Sequence, residues 1–184
     1  MVDRERGQAV HLVTTRQASR AASMSITYGF HDSPVGESLV ATTDQGVCFL
    51  GFTAPASQRA LLDELRETWP GVPLSENPAV TGPMAVRAFD TFAPPPVHVQ
   101  GSDFQIQVWR ALLRVPLGTT ISYGQLARRV GRPGAARAVG AAVGRNPVSV
   151  VIPCHRVVLS TGALHRYRWG ADRKRALLAR EAAH

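Results

Sequence analysis

The chain has 184 residues, 45% hydrophobic and 18% charged, with a formal net charge of +8. That length can bury a core in one domain or two small ones, and no apolar run approaches the ~18 residues of a membrane span. Two cysteines, Cys48 and Cys154, exclude a disulfide framework and a cysteine-only zinc site.

The N-terminus "MVDRERGQAVHL" lacks the apolar core of a signal peptide, so the expected setting is cytoplasmic, with free thiols. Residues 1–22 are polar and aperiodic, which predicts a flexible arm. The β-rich runs "MSITYGF", "SLVATT" and "GVCFLGF", separated by "DSPVG" and "DQG", predict an antiparallel meander. Cys48 falls inside its last strand as a small buried hydrophobe. "SQRALLDELRETWP" places Leu61, Leu62, Leu65 and Trp69 on one helical face, and Pro70 ends it. "VTGPMAVRAFDTF" reads as a second helix. "APPPVHVQG" reads as a stiff connection ending in a short strand, and the boundary between two domains is set there.

Helical signals dominate the remainder. "SDFQIQVWRALLRV" opens with a capping box, Ser102 and Gln105, and carries Phe104, Val108, Trp109, Leu112 and Leu113 on one face. A second capping box, Ser122 and Gln125, opens "SYGQLARRVG". Pro133 suits the first turn of a following helix that closes at Gly144. Two helices of about three turns joined by a glycine-containing turn form a helix-turn-helix candidate. The second presents alanines and a single long polar side chain, Arg137, so it can lie close in a groove while reading few bases. Charge is uneven along the chain. Residues 1–101 hold 7 basic and 10 acidic side chains, whereas residues 102–184 hold 14 and 3, and Lys174 is the only lysine among those 14. A basic half joined to a mildly acidic half points to a polyanion, nucleic acid above all.

The stretch "PVSVVIPCHRVV" lies in that basic half. It predicts a strand from Ser149 to Ile152 that Pro153 terminates, leaving Cys154 where the backbone departs from the sheet. A reactive thiol needs a base or a positive field. His155 is adjacent, but neighbouring side chains diverge, so a bridging water and an orienting carboxylate are expected. Only Asp103, Asp172 and Glu181 can supply that carboxylate in residues 102–184, and Glu181 on the terminal helix is the candidate.

"IPCHRVV" closely resembles the signature of the O6-alkylguanine-DNA alkyltransferases, repair proteins that move an alkyl group from guanine onto their own cysteine. The resemblance extends almost without gaps over "FQIQVWRALLRVPLGTTISYGQLARRVGRPGAARAVGAAVGRNPVSVVIPCHRVV" and is very specific from about Phe104 to Glu181, where "YRWGADRKRALLARE" is similar to the bacterial adaptive-response type. Over residues 24–100 it is looser. It implies a small RNase H-like α/β domain at 23–96, after the arm at 1–22. A mainly α domain at 97–184 would follow, with the helix-turn-helix and a short strand carrying the active cysteine.

The resemblance also implies roles. Cys154 would accept the alkyl group, His155 would take the thiol proton through water, and Glu181 would hold the histidine. Asn146 resembles the hinge asparagine. Tyr123 would protonate the departing guanine and Arg137 would fill the space of the flipped base. The DNA-facing set is Tyr123, Gly124, Arg132, Ala136, Arg137 and Ser160; the pocket set is Pro153, Val157, Ser160, Arg166 and Tyr167. The partner implied is double-stranded DNA carrying O6-alkylguanine, met by a monomer without cofactor, metal or membrane. In "LHRYRWG", His165 and Arg166 replace a small pair found in relatives, which predicts a narrower pocket entrance that disfavours bulky alkyl groups. Gly124 removes a side chain that relatives use toward DNA. A non-catalytic alkylated-DNA-binding protein would lack the cysteine. A plain helix-turn-helix regulator would leave "PCHR" without a purpose, and a cysteine hydrolase would leave the basic surface idle.

Overall fold

The computed structural model describes residues 3–5, 8–14, 24–54, 56–90, 92–164 and 167–183. In chain order the strands of the first half are β1 (Asp3–Glu5), β2 (Gln8–Thr14), β3 (Ile26–His31), β4 (Ser38–Thr43), β5 (Gly46–Phe52), β6 (Leu74–Glu76) and β7 (Val97–Gly101). They form one sheet in the order β1-β2-β7-β5-β4-β3-β6. The meander β3-β4-β5 is antiparallel, as its alternation predicts. β5 lies between β4 and β7 and is buried at every position, which is why its sequence, including Cys48, is continuously apolar.

Helix α1 (Gln58–Thr68) starts at Ser57, whose side chain accepts from the Ala60 amide, and it buries Leu61 and Leu65. Trp69 is buried just beyond it. Helix α2 (Pro78–Ala88) packs on β3 and β4.

Two expectations change here. The segment expected to be an arm contains β1 and β2, and β2 pairs in parallel with β7 from Val10–Val97 to Thr14–Gly101. The pairing partner is far away in sequence, so no local pattern announces it. Because β7 also pairs with β5, residues 97–101 belong to the sheet, and the change to helical structure falls at Ser102.

Helix α3 (Asp103–Leu113) and helix α4 (Tyr123–Arg129) both begin with complete capping boxes, Ser102 with Gln105 and Ser122 with Gln125. Helix α5 (Ala136–Gly144) starts three residues later than Pro133 suggests. Gly131 and Gly134 hold φ of 67° and 89°, values that break the helical path and delay the start until the turn is complete. Trp109 on α3 donates its indole N–H to the Ala142 carbonyl at 2.9 Å, fixing α5 across the bundle. Helix α6 (Ala171–Ala182) closes the chain. No helix among the described residues is long and apolar enough to cross a membrane.

Candidate active site

The expected strand at Ser149–Ile152 is instead a closed turn, and its construction explains where the cysteine sits. Asn146 is buried and braces both ends: its Oδ1 accepts from the Val148 amide at 3.0 Å, and its Nδ2 donates to the Ile152 carbonyl at 2.8 Å. Held in this way, Val150 adopts φ of 71°, a conformation a β-branched residue avoids unless its surroundings impose it. One edge of the turn still meets the sheet. The Leu50 amide donates to the Pro147 carbonyl and the Ser149 amide to the Leu50 carbonyl, at 2.9 and 3.0 Å. After Pro153 the chain forms a single 3₁₀ turn, Cys154–Arg156, then strand β9 (Val157–Val158).

Strand β9 pairs in parallel with β8 (Ile121–Ser122), whose next residue is Tyr123 at the start of α4. This two-residue ladder joins the Cys154 turn to the helix-turn-helix and sets Cys154 and Tyr123 on one cleft of about 820 Å³. Gly124, Ala136, Arg137, Asn146, Ser160 and Tyr167 line the same cleft, with Arg128, Gly140, Arg168 and Trp169. Arg137 is exposed at its rim.

Cys154 is 7% exposed. Burial pushes its thiol up, while hydrogen bonds and the charge of Lys174 act in the opposite direction. The Asn146 Nδ2 stands 3.1 Å from Sγ. Lys174, buried on α6, donates to the Val157 carbonyl at 2.6 Å. The Tyr167 hydroxyl is buried without a hydrogen bond of normal geometry, and burial, followed by the neighbouring thiol, holds its proton well above the ordinary range. The resting thiol therefore keeps its proton and needs a base to lose it.

His155 is fully buried behind Cys154, and burial lowers its pKa, so the ring is neutral. Its Nε2 lies 2.7 Å from Glu181 Oε1. Burial alone would raise the Glu181 pKa, but hydrogen bonds from His155 and Arg156 bring it down to about 2. An ionised carboxylate only accepts, so Nε2 carries the ring proton and Nδ1 holds a free lone pair. Nδ1 is buried without a hydrogen-bond partner. Arg156 grips both Glu181 oxygens through Nε and Nη2 at 2.8 to 3.1 Å and reaches the Val115 carbonyl with Nη1 at 2.6 Å.

Three expected residues stand elsewhere. Pro153 lines a separate cavity of about 120 Å³ behind the turn, together with Arg156 and Glu181. Val157 is buried in the β8–β9 ladder because its partner is Ile121, and it does not line the cleft. Arg132 is exposed on the turn before α5, outside the cleft lining. Arg166, with His165, lies outside the described residues. Sequence reading missed Arg156, Lys174 and Trp169. Lys174 carried a signal, as the one lysine in an arginine-rich half. Arg156, inside "PCHR", was adjacent to the residues singled out.

A buried cysteine thus lines a cleft, backed by a neutral histidine on a carboxylate and flanked by a helix-turn-helix. Residues 103–183 match the family model described as 6-O-methylguanine DNA methyltransferase, DNA binding domain. A methylated-DNA–protein-cysteine methyltransferase of Mycolicibacterium paratuberculosis is 55% identical over 88 residues, 48% of this chain and 53% of that protein. The regulatory protein ada of Salmonella typhimurium is 41% identical over 166 residues, 87% of this chain and 46% of that protein. The chain thus spans about half the length of the curated relatives it matches. Among solved structures, the Mycobacterium tuberculosis O6-methylguanine methyltransferase superposes with a TM-score of 0.68 at 34% identity, covering 86% of this chain and 93% of its own. The Mycobacterium tuberculosis OGT in complex with DNA gives 0.69 at 34%, covering 85% and 93%. The chain belongs to the O6-methylguanine DNA methyltransferase family.

Proposed function

We propose that this chain repairs DNA by direct reversal. It moves the alkyl group, methyl above all, from O6-alkylguanine and less readily from O4-alkylthymine onto Cys154, once per molecule. The observation that carries this reading is Cys154 Sγ on the cleft wall with the His155–Glu181 pair buried behind it. The partner is double-stranded DNA, met by a monomer in the bacterial cytoplasm. Residues 102–183 bind and react, and the sheet before them supports the turn.

The target carbon is hidden within the base stack, so the nucleotide must leave it, at a cost of a few kcal/mol. α5, small-faced apart from Arg137, enters the minor groove, and Arg137 occupies the vacated space. The thiol proton passes to His155 Nδ1 through a bridging water, and Glu181 stabilises the imidazolium. The thiolate attacks the alkyl carbon: an S–C bond forms, the C–O6 bond breaks, and its electron pair stays with guanine. Tyr123 protonates the departing base and is reprotonated from solvent. The thioether is stable, so the protein is consumed. Gly124 and Ser160 bear on the DNA strand, Tyr167 walls the alkyl pocket, and Arg132 meets phosphate outside the cleft.

The test is to mix the protein with a duplex carrying one O6-methylguanine and record intact mass and a peptide map. One methyl on Cys154, no second turnover, and no transfer to Cys154→Ser are expected. DNA binding without any added methyl would overturn the transfer and leave a damage-recognition protein.

A further inference from the structure

A second basic feature lies outside the cleft. Between α3 and α4 runs a groove of about 420 Å³ whose charged lining is Arg110, Arg114, Arg129 and Asp103. Arg110 Nε is buried with no hydrogen-bond partner. The side chains of Arg110 and Arg129 make no hydrogen bond or ion pair among the described residues, whereas Arg114 has a partner of its own. Asp103, in the first turn of α3, is the one carboxylate on the groove. Gln107 is already committed, donating to the Val130 carbonyl at 3.0 Å. Arg110 and Arg129, whose side chains have no partner among the described residues, outnumber the one carboxylate and leave the groove cationic, a field that favours an incoming oxyanion. The planar fork of arginine suits a phosphodiester in particular.

Position selects the ligand. Arg128 and Arg129 are consecutive on α4, yet Arg128 lines the reactive cleft and Arg129 the groove. α4 therefore carries cationic side chains toward two sides at once. A duplex whose minor groove receives α5 continues past the cleft, and Arg129, one residue after Arg128, offers its backbone a second cationic side. We infer that the groove between α3 and α4 is a second phosphate site, holding a phosphodiester of the same duplex beyond the damaged nucleotide. The inference rests on the cleft being the DNA site. The groove takes no part in the chemistry; it adds affinity that is independent of sequence and sensitive to salt.

The test measures affinity against salt on a short duplex of about 8 bp and a long one of about 24 bp, where each phosphate contact contributes a slope of about 0.9 in log K against log salt. An Arg110→Gln/Arg129→Gln variant should lose about one to two units of slope on the long duplex and none on the short one. The Arg110→Lys/Arg129→Lys variant should retain most of the slope, which separates loss of charge from loss of fold. Equal slopes for the wild type and the glutamine variant on the long duplex would overturn the site. If inorganic phosphate raises the melting temperature of the wild type alone, and duplex length changes nothing, the groove holds a free anion and the DNA assignment is wrong. Methyl transfer by the wild type, followed in parallel, reports on the cleft separately: its absence would count against the repair reading and leave the slope comparison standing.

Discussion

Glu181 does two jobs with two oxygens. It orients His155 through Nε2, and it neutralises Arg156, whose remaining donor holds the Val115 carbonyl. With its pKa at about 2 instead of the ordinary 4.5, its contribution to stability is complete above pH 4.5. It disappears as the pH falls toward about 2, because the unfolded chain takes up the proton first. His155 has a lowered pKa, so below its ordinary 6.5 the unfolded state again binds the extra proton, and acid destabilises the fold from that side too. Glu181→Gln should therefore flatten the acid limb of a stability–pH profile between pH 4.5 and about 2. The same change removes an influence that raises the His155 pKa, leaving a weaker base. Methyl transfer should slow by about 10- to 100-fold, a fraction of the ~10²–10⁴ that a positioned base contributes. An unchanged acid limb together with an unchanged rate would remove Glu181 from the site.

Among the elements, the turn between α5 and β9 depends on a glycine of β5, next to the Leu50 that pairs with it. A Cβ at Gly51 would stand 2.8 Å from Trp169 Cη2 and 3.1 Å from its Cζ2. Trp169 cannot easily yield. Its Nε1 donates to Ser149 Oγ at 2.6 Å, and its ring meets Phe52 edge-on at 5.9 Å between centroids. Gly51→Ala should cost about 1–3 kcal/mol by overpacking, which lowers the melting temperature by roughly 2–4 °C per kcal/mol in a chain of this size. It should also slow transfer, because Trp169 lines the cleft. A melting temperature that does not move would mean that β5 and the Trp169 segment separate freely.

Legibility in the sequence divides along the same lines. Helices α3 and α4 announce themselves because capping boxes, faces and glycine stops are local signals. β1 and β2 do not, because β2 gains its partner about ninety residues later. The turn before Cys154 reads as a strand from its run of valines, and only Asn146, bonding forward to Val148 and Ile152, closes it. At the site, Cys154, His155 and Glu181 were legible through the resemblance and the scarcity of carboxylates. Lys174 and Arg156 act through carbonyls and oxygens of other elements, which no spacing reports.

At the scale of the whole molecule, the acidic half and the basic half are tied at the places that shape the cleft. The Leu50 backbone pairs with Pro147 and Ser149 in the turn that leads to Cys154. Arg173 on α6 donates to the Val35 carbonyl at 2.6 Å, to the Ala54 carbonyl, and to the Trp169 carbonyl at 2.8 Å. Arg168 pairs through both terminal nitrogens with Glu64 on α1, and its guanidinium stacks on the Trp169 ring at 4.5 Å. An exposed ion pair is worth little alone, about 0.2–1 kcal/mol, but these ties share Trp169 and converge on one wall. If the sheet rose and fell independently of the helices, the turn holding Cys154 would lose one of its two supports while the protein remained folded. The two halves should therefore unfold together. A calorimetric scan should give one transition whose measured and van't Hoff enthalpies agree, and the ability to accept a methyl group should be lost over the same temperatures. Two resolved transitions, with transfer surviving the first, would mean that the basic half supports the reactive turn without the sheet.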